Sequence, residues 1–117
     1  MKNPDVIIRV DVVGPIVIVA TLHSGTVEIS KRHKLKFVNK VTIKSNVAYA
    51  MLQLANVKKG YALLDPFCGS GTVLLEAIEA FGPMKCVGAD RSKKVLKGAA
   101  ENAKAEGVEK HCTFIHS

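Results

Sequence analysis

Residues 61–72 read YALLDPFCGSGT, a short apolar run that ends in Asp65 and leads into a glycine-rich turn. Such a run between turn signals predicts a short strand. The apolar residues from Thr72 to Phe81 predict a helix, which Gly82 and Pro83 end. A helix that starts directly after such a turn presents free backbone N–H groups and a positive dipole end to a ligand. The stretch therefore predicts a ligand site at the carboxyl end of a strand.

The same alternation continues toward the C-terminus. Lys85–Asp90 predicts a second strand, Ser92 caps a further helix that Gly107 ends, and Cys112–His116 predicts a third strand. The order strand, helix, strand, helix, strand requires a parallel sheet with right-handed crossovers. We therefore expect an α/β fold that binds its ligand across the carboxyl ends of the strands.

Two β-branched runs come first along the chain. Residues 6–13 and 16–21, joined by Gly14-Pro15, predict a β-hairpin, with Gly25 closing the second strand. Residues 26–42 form an extended basic connector without a clear pattern. Apolar residues at helical spacing then predict a helix from Ser45 to Ala55, with Ser45 as its cap.

Composition restricts the classes of protein. The chain has 117 residues, a formal charge of +7 and three cysteines, which fits one small domain with reduced thiols. No apolar stretch reaches the ~18 residues of a membrane span, and the N-terminus lacks a signal-peptide pattern. These features predict a cytoplasmic location.

Charge is unevenly distributed. Between Glu28 and Asp65 no acidic residue occurs, but eight basic ones do: Lys31, Arg32, Lys34, Lys36, Lys40, Lys44, Lys58 and Lys59. A run of one sign attracts polyanions such as nucleic acids. Alternatively, acidic residues from elsewhere in the protein fold alongside it, and the charge pattern alone leaves both possibilities open.

The glycine-rich turn excludes two familiar ligand loops. A phosphate-binding P-loop requires a lysine after its last glycine, whereas Gly71 is followed by Thr72. A dinucleotide loop has a third glycine where this chain has Leu74. Gly69 and Gly71 allow a ligand to approach the backbone closely, and Asp90 at the next strand end can accept hydrogen bonds from a ribose diol. The pattern favours a nucleoside ligand without a pyrophosphate.

Residues 64–77, LDPFCGSGTVLLEA, resemble motif I of the THUMP-domain-associated RNA methyltransferases, which methylate guanosine N2 in tRNA or ribosomal RNA. The resemblance extends upstream through residues 24–25, 31–32 and 43–52, and downstream through residues 88–90, 99–103 and 107–108. It implies a Rossmann-like class I methyltransferase fold, S-adenosylmethionine as cofactor and RNA as partner.

The resemblance also implies roles for individual residues. Asp65, Gly69 and Gly71 would line the methionine end of the cofactor, Asp90 would bind the ribose, and Arg91 would lie near the adenine. The implied cofactor-binding set is Ser45, Asn46, Asp65, Phe67, Cys68, Gly69, Ser70, Gly71, Thr72, Asp90 and Arg91; the RNA-binding set, in segment 31–44, is Lys31, Arg32, Lys34 and Lys36.

Several of these residues have simpler interpretations. Cys68 can be a small buried side chain, and Ser70 and Thr72 can serve only to cap the helix. Asp90 can be a turn residue, although the Ser92 cap would leave its carboxylate free. His23, His33, His111 and His116 are scattered along the sequence and are expected at the surface. No metal site is expected.

The family's catalytic Asn/Asp-Pro-Pro-aromatic motif follows its fourth strand. The prolines of this sequence, at positions 4, 15, 66 and 83, are unpaired, so no catalytic residue is assigned. The resemblance implies that residues 43–117 form the first half of a cofactor-binding domain and that the hairpin and connector occupy residues 1–42. It also implies that this chain is inactive on its own. The strand at 61–65 would then be an uncovered edge, and we expect it to form a homodimer or to pair with another chain.

Two other functions fit parts of the pattern. DNA amino-methyltransferases contain similar Asp-Pro-Phe-x-Gly-Ser-Gly-Thr loops, but their Pro-Pro motif often precedes the loop, and nothing upstream of Asp65 provides it. A non-catalytic module that binds the cofactor or RNA is the second alternative. Binding measurements with S-adenosylmethionine and its demethylated product test the methyltransferase interpretation, which fails if neither compound binds.

Overall fold

The computed structural model describes residues 7–22 and 31–117. A β-hairpin is followed by alternating helices and strands. The elements are β1 (Ile7–Val13), β2 (Ile16–Leu22), α1 (Ser45–Leu54), β3 (Ala62–Asp65), α2 (Thr72–Phe81), β4 (Lys85–Asp90), α3 (Lys93–Ala105), a 3-10 turn (Glu109–His111) and β5 (Cys112–His116).

Strands β3, β4 and β5 form a parallel sheet in that order. Asp65 at the end of β3 pairs with Gly88, and Asp90 at the end of β4 pairs with His116. All three strands therefore end at the same edge of the sheet, as the predicted α/β fold requires. The predicted bounds of α2, β4 and β5 are confirmed, and β3 is one residue shorter than expected.

The core lies between the sheet and the helices. Leu74, Ala77 and Ile78 of α2 pack with Cys86 in the central strand β4 and with Leu96 of α3. Helix α2 is apolar on most of its surface because it lies between the sheet and α1. This position fixes the N-terminus of α2 at the carboxyl edge of the sheet.

Gly88 permits the loop after β3 to cross the middle strand. A Cβ atom at this position would lie 2.8 Å from the Cys68 sulfur and 2.9 Å from Cδ1 of Leu74. Both distances are shorter than real Cβ contacts, so any side chain at residue 88 would displace the loop or α2. The sequence alone does not indicate this packing role of Gly88.

Two predicted helix caps differ from the structure. Ser45 does not cap α1, because Lys44 occupies the N-cap position and Ser45 is the first helical residue, 3% exposed. Gly71, with φ of 83°, is the N-cap of α2, and no side chain in the described part of the chain caps that helix, so Ser70 and Thr72 do not have this role. The cap on α3 is confirmed, since Ser92 Oγ accepts a hydrogen bond from the Val95 N–H.

The hairpin is antiparallel, as predicted, and pairs Ile7 with Leu22 and Val13 with Ile16. Arg9 and Asp11 form an ion pair of 2.8 Å on β1. Val6, His23, Gly25 and residues 26–30 lie outside the described residues.

The β3 edge is apolar and exposed: Leu64 is 65% exposed, and Tyr61, which directly precedes the strand, is 51% exposed. The expected pairing of this edge with a second chain stays a prediction. The three cysteines are free thiols. None of the helices in residues 7–22 and 31–117 has the length and apolar content needed to cross a membrane.

Candidate functional site

A cavity of about 490 Å³ opens at the carboxyl edge of the sheet. This volume is within the usual range for small-molecule sites, roughly 300–1,000 Å³. The loop after β3 forms one wall, the end of β4 and the start of α3 form a second, and the connector forms a third. The predicted cofactor residues that line it are Asp65, Phe67, Cys68, Gly69, Ser70, Asp90 and Arg91.

Asp90 holds two chain segments at this cavity. Its Oδ1 accepts a hydrogen bond from the Ser92 N–H at 2.8 Å, and its Oδ2 accepts one from the Gly69 N–H at 3.3 Å. The expectation that the Ser92 cap leaves this carboxylate free is therefore wrong. Each carboxylate oxygen has a second lone pair, so Asp90 can still accept hydrogen bonds from a ligand diol.

Backbone hydrogen bonds fix the loop after β3. The Cys68 N–H donates to the Ala89 carbonyl at 2.9 Å, and the Gly71 N–H donates to the Cys68 carbonyl at 2.8 Å. Asp65 Oδ1 accepts from the Phe67 N–H at 3.0 Å. The loop is thus attached to β4 before any ligand binds.

The two glycines of the loop have different roles. Gly69 has φ of 54°, and among residues 7–22 and 31–117 a Cβ there would have a single neighbour within 4 Å, the Asn39 side chain at 4.0 Å. Gly71 has φ of 83° and faces α3, where a Cβ would lie 3.5 Å from the Ala99 side chain. Only Gly69 offers open space toward a ligand, whereas Gly71 allows α2 and α3 to pack closely.

The remaining predicted cofactor residues lie outside the cavity. Gly71 and Thr72 are buried in the turn. Ser45 is buried and lines a neighbouring cavity formed by the connector, and Asn46 is exposed on α1.

The connector wall of the cavity was not predicted from the sequence; it is formed by Asn39, Val41 and Thr42, together with Ile43, which directly follows the connector. Asn39 and Thr42 build a compact turn, in which Thr42 Oγ1 donates to Asn39 Oδ1 at 3.0 Å and accepts from the Asn39 N–H at 2.9 Å. Asn and Thr favour turns because their side chains form hydrogen bonds with the nearby backbone, so an Asn followed three residues later by a Thr indicates a turn. That signal identifies the turn but not its contact with the cavity.

Asn102 of α3 joins the connector to the loop after β3. Its Nδ2 donates to the carbonyls of Phe37 at 2.8 Å and Ser70 at 3.0 Å, and its Oδ1 accepts from the Phe37 N–H at 2.8 Å. Asn102 is completely buried. The Phe37 ring covers Gly98, where a Cβ would lie 2.2 Å from it. No local pattern indicates this contact, because residues 37 and 102 are distant along the chain.

Cys68 combines burial with nearby carboxylates. Burial, with the negative charges of Asp65 and Asp90, raises the pKa of the Cys68 thiol to about 11. The thiol is 6% exposed and lies against Gly88. A protonated, buried thiol is a poor nucleophile, so Cys68 shapes the wall of the cavity.

Part of the basic connector is paired with acidic residues. Arg32 forms an ion pair with the buried Glu76 of α2 and lies 5.7 Å from the Tyr49 ring centre. His33 is 7% exposed, so its predicted surface position is wrong. The Lys34 N–H donates to Glu106 Oε1 at 2.8 Å. The alternative that acidic residues fold alongside this run is therefore correct for the side chains of Arg32 and His33, whereas Lys34 contacts Glu106 only through its backbone.

The side chains of Lys31, Lys34, Lys36, Lys40 and Lys44 are exposed. His116 is exposed and His111 is half-buried. The connector thus has an inner side that contacts α2 and α3 and an outer side that carries lysines.

Sequence comparison relates the chain to known enzymes. Residues 32–117 match the family described as RMKL-like, methyltransferase domain. The tRNA (guanine(6)-N2)-methyltransferase of Thermus thermophilus is 35% identical over 113 residues, which cover 92% of this chain and 32% of that enzyme. The human U6 snRNA (guanine-N(2))-methyltransferase THUMPD2 is 42% identical over 73 residues, which cover 62% of this chain and 14% of that enzyme.

Solved structures agree with these relatives. The crystal structure of TrmN from Thermus thermophilus matches with a TM-score of 0.69 and 32% identity, over 100% of this chain and 35% of that one. An RNA methyltransferase from Salinibacter ruber, in complex with S-adenosyl-L-homocysteine, matches with a TM-score of 0.62 and 30% identity, over 66% of this chain and 50% of that one. The chain therefore spans half or less of each of these proteins.

Replacing Asn102 should detach the connector from the loop after β3. We expect Asn102→Ala to lower the free energy of unfolding by about 2–4 kcal/mol, because backbone groups of Phe37 and Ser70 lose their buried hydrogen bonds. Urea denaturation followed by circular dichroism measures the change. Asn46→Ala, at an exposed helix position, is the control and should have little effect. Equal stability of the two variants would contradict the linking role.

The raised pKa of Cys68 should appear in its alkylation rate. At pH 8 we expect iodoacetamide to modify Cys68 at least tenfold more slowly in the folded chain than in urea, since a thiol with a pKa near 11 holds little thiolate there. The rate in the folded chain should keep rising above pH 9, whereas the rate in urea levels off. Mass spectrometry of the Cys68 peptide gives both rates, and superimposable pH profiles would contradict the assignment.

The same shift links stability to pH. The folded state retains the thiol proton to a higher pH than the unfolded chain, so this stabilising contribution is complete below the ordinary thiol pKa of 9.0 and is lost as the pH rises toward about 11.

Proposed function

This chain belongs to the RMKL-like methyltransferase domain family, and we propose that it binds S-adenosylmethionine at the carboxyl edge of its sheet. It would form the cofactor-binding part of an RNA guanine-N2 methyltransferase. The observation that supports this most strongly is the position of Asp90, which faces the cavity from the end of β4. Its two oxygens also hold the loop after β3 and the start of α3 in place, through the Gly69 and Ser92 amides.

The chemistry of the cavity suits this cofactor. Asp90 can accept hydrogen bonds from the ribose hydroxyls with its unused lone pairs. Asp65, on the adjacent strand, adds a second carboxylate to the cavity, which would attract the positively charged sulfonium and ammonium groups of the cofactor. Gly69 leaves room for the ligand beside the backbone. The complex of the Salinibacter ruber enzyme with S-adenosyl-L-homocysteine supports the same ligand class.

When bound, the cofactor supplies an electrophilic methyl group. The residues of this chain bind and orient it: the loop after β3 is preorganised by its hydrogen bonds to β4, so little conformational entropy remains to be lost on binding. The Asn/Asp-Pro-Pro motif that the family resemblance associates with catalysis is not in the sequence. We therefore assign binding residues to this chain and no catalytic residue.

We propose RNA as the methyl acceptor, because the names of the relatives specify tRNA or U6 snRNA. The exposed lysines of the connector, among them Lys34, Lys36 and Lys40, would contact phosphates. Arg32 is the least suited of the predicted RNA-binding residues, because it is paired with Glu76. The connector also lines the cofactor cavity, which would bring bound RNA close to the methyl group.

Isothermal titration of the chain with S-adenosylmethionine and S-adenosylhomocysteine tests this proposal. We expect both to bind, and Asp90→Ala to weaken binding by roughly 1.5–3 kcal/mol, the scale of a charged hydrogen-bond partner. Glu101→Ala, on the exposed side of α3, is the control and should bind like the original chain.

A folded chain that binds neither compound would contradict the proposed function, as would equal affinities of the Asp90 and Glu101 variants. Circular dichroism of each variant establishes that the fold is retained. Competition between RNA and DNA of equal length would then distinguish the RNA enzyme from the DNA amino-methyltransferase alternative.

A further inference from the structure

A second group of ionisable side chains lies away from the cofactor cavity. His33 of the connector contacts Glu76 and Glu79 of α2 and Glu106, which follows α3. The two helices begin at the carboxyl edge of the sheet, so Glu79 and Glu106 lie toward its opposite edge. The proposed cofactor site uses none of these four residues.

The two ring nitrogens of His33 have different surroundings. Nε2 lies 2.9 Å from Glu76 Oε2, and a carboxylate can only accept, so Nε2 carries the proton. Nδ1 lies 3.3 Å from Glu79 Oε2 and 3.7 Å from Glu106 Oε2. This atom is buried and has no hydrogen-bond partner among the residues that the structure describes. In the neutral ring, its lone pair faces two anionic oxygens.

A cation between these three atoms would relieve that repulsion. Ligands at about 2.0–2.1 Å from a tetrahedral zinc ion are separated from each other by about 3.3–3.4 Å. The separations of 3.3 and 3.7 Å from Nδ1 to the two carboxylate oxygens are close to this value. The ligand atoms of His33, Glu76 and Glu79 all lie within 4.8 Å of one another, whereas Glu106 is not part of this group and lies at the edge of the cluster.

The surroundings support a metal ligand at Nδ1. A histidine that binds a metal usually donates its other N–H to a carboxylate, as His33 does to Glu76. Arg32 pairs with Glu76, and its Nε also lies 3.9 Å from Glu79 Oε2. The cluster therefore has one guanidinium for three carboxylates, those of Glu76, Glu79 and Glu106, which leaves an excess of negative charge around His33. A cavity of about 380 Å³ adjoins His33, Glu79 and Glu106 and also reaches His111, so water can complete the coordination.

We propose that His33 Nδ1 and Glu79 bind a divalent transition-metal ion, with Glu76 orienting the imidazole and Glu106 contacting the ion through water. The imidazole ligand favours zinc over magnesium or calcium. Because these residues come from the connector, α2 and the end of α3, the ion would fasten the connector to the helices. The site is independent of the proposed cofactor binding.

Zinc chloride titration of the chelator-treated chain tests the site. We expect one zinc ion per chain and a higher melting temperature in its presence. Glu79→Gln should weaken zinc binding at least tenfold by removing a ligand; this side chain is 52% exposed, so the fold should tolerate the change. Glu101→Gln, on the exposed side of α3, is the matched control and should retain the original affinity.

The free thiols require a separate control. Cobalt(II) in the site should give an absorption spectrum without a sulfur-to-cobalt charge-transfer band, and Cys112→Ser should retain zinc binding. A thiolate band, or unchanged affinity in Glu79→Gln, would overturn the proposal. The proposal would also be overturned if the chain bound no zinc and nitrogen NMR showed a proton on both ring nitrogens of His33. The cluster would then be an imidazolium ion between carboxylates.

Discussion

The parallel pairing of β3 with β4 constrains the rest of this structure. It places Asp65 beside Gly88, and the chain after β3 must therefore cross directly over the middle strand. Gly88 leaves the space for that crossing, and the Cys68 N–H bonds to the Ala89 carbonyl at 2.9 Å to complete it. The start of α2, the position of Gly69 and the contact of Gly69 with Asp90 all follow from this arrangement.

The connector is a structural part of the proposed cofactor site. The inner side of the connector contributes Asn39 and Thr42 to the cavity. Its Phe37 is hydrogen-bonded to Asn102, which also donates to the carbonyl of Ser70 in the loop after β3. Its outer side carries the exposed lysines that we propose to contact RNA. One buried amide therefore joins the proposed RNA-binding segment to the proposed cofactor site, so changes in one are expected to affect the other.

Local pattern was sufficient to predict the strand ends, the Ser92 cap and the placement of Asp65 and Asp90 at one edge of the sheet, because strand-helix alternation leaves few topologies. It was not sufficient for His33, Arg32 or Asn102. Their positions depend on partners some 43 to 65 residues away along the chain. The spacing of apolar residues within one helix or strand does not indicate such long-range contacts. A single sequence shows a lysine-rich connector but not the glutamates that fold against it.

The carboxyl edge of the sheet, together with the connector, is the cofactor site that we propose. A titration of the nitrogen-15-labelled chain with S-adenosylhomocysteine, followed by amide NMR, tests this most directly. We expect the largest shifts at Gly69, Ser70, Arg91, Thr42 and Ile43, with little change at Glu79 and Glu106. Shifts centred on the β-hairpin or on the far ends of α2 and α3, or no shifts in a folded chain, would contradict it.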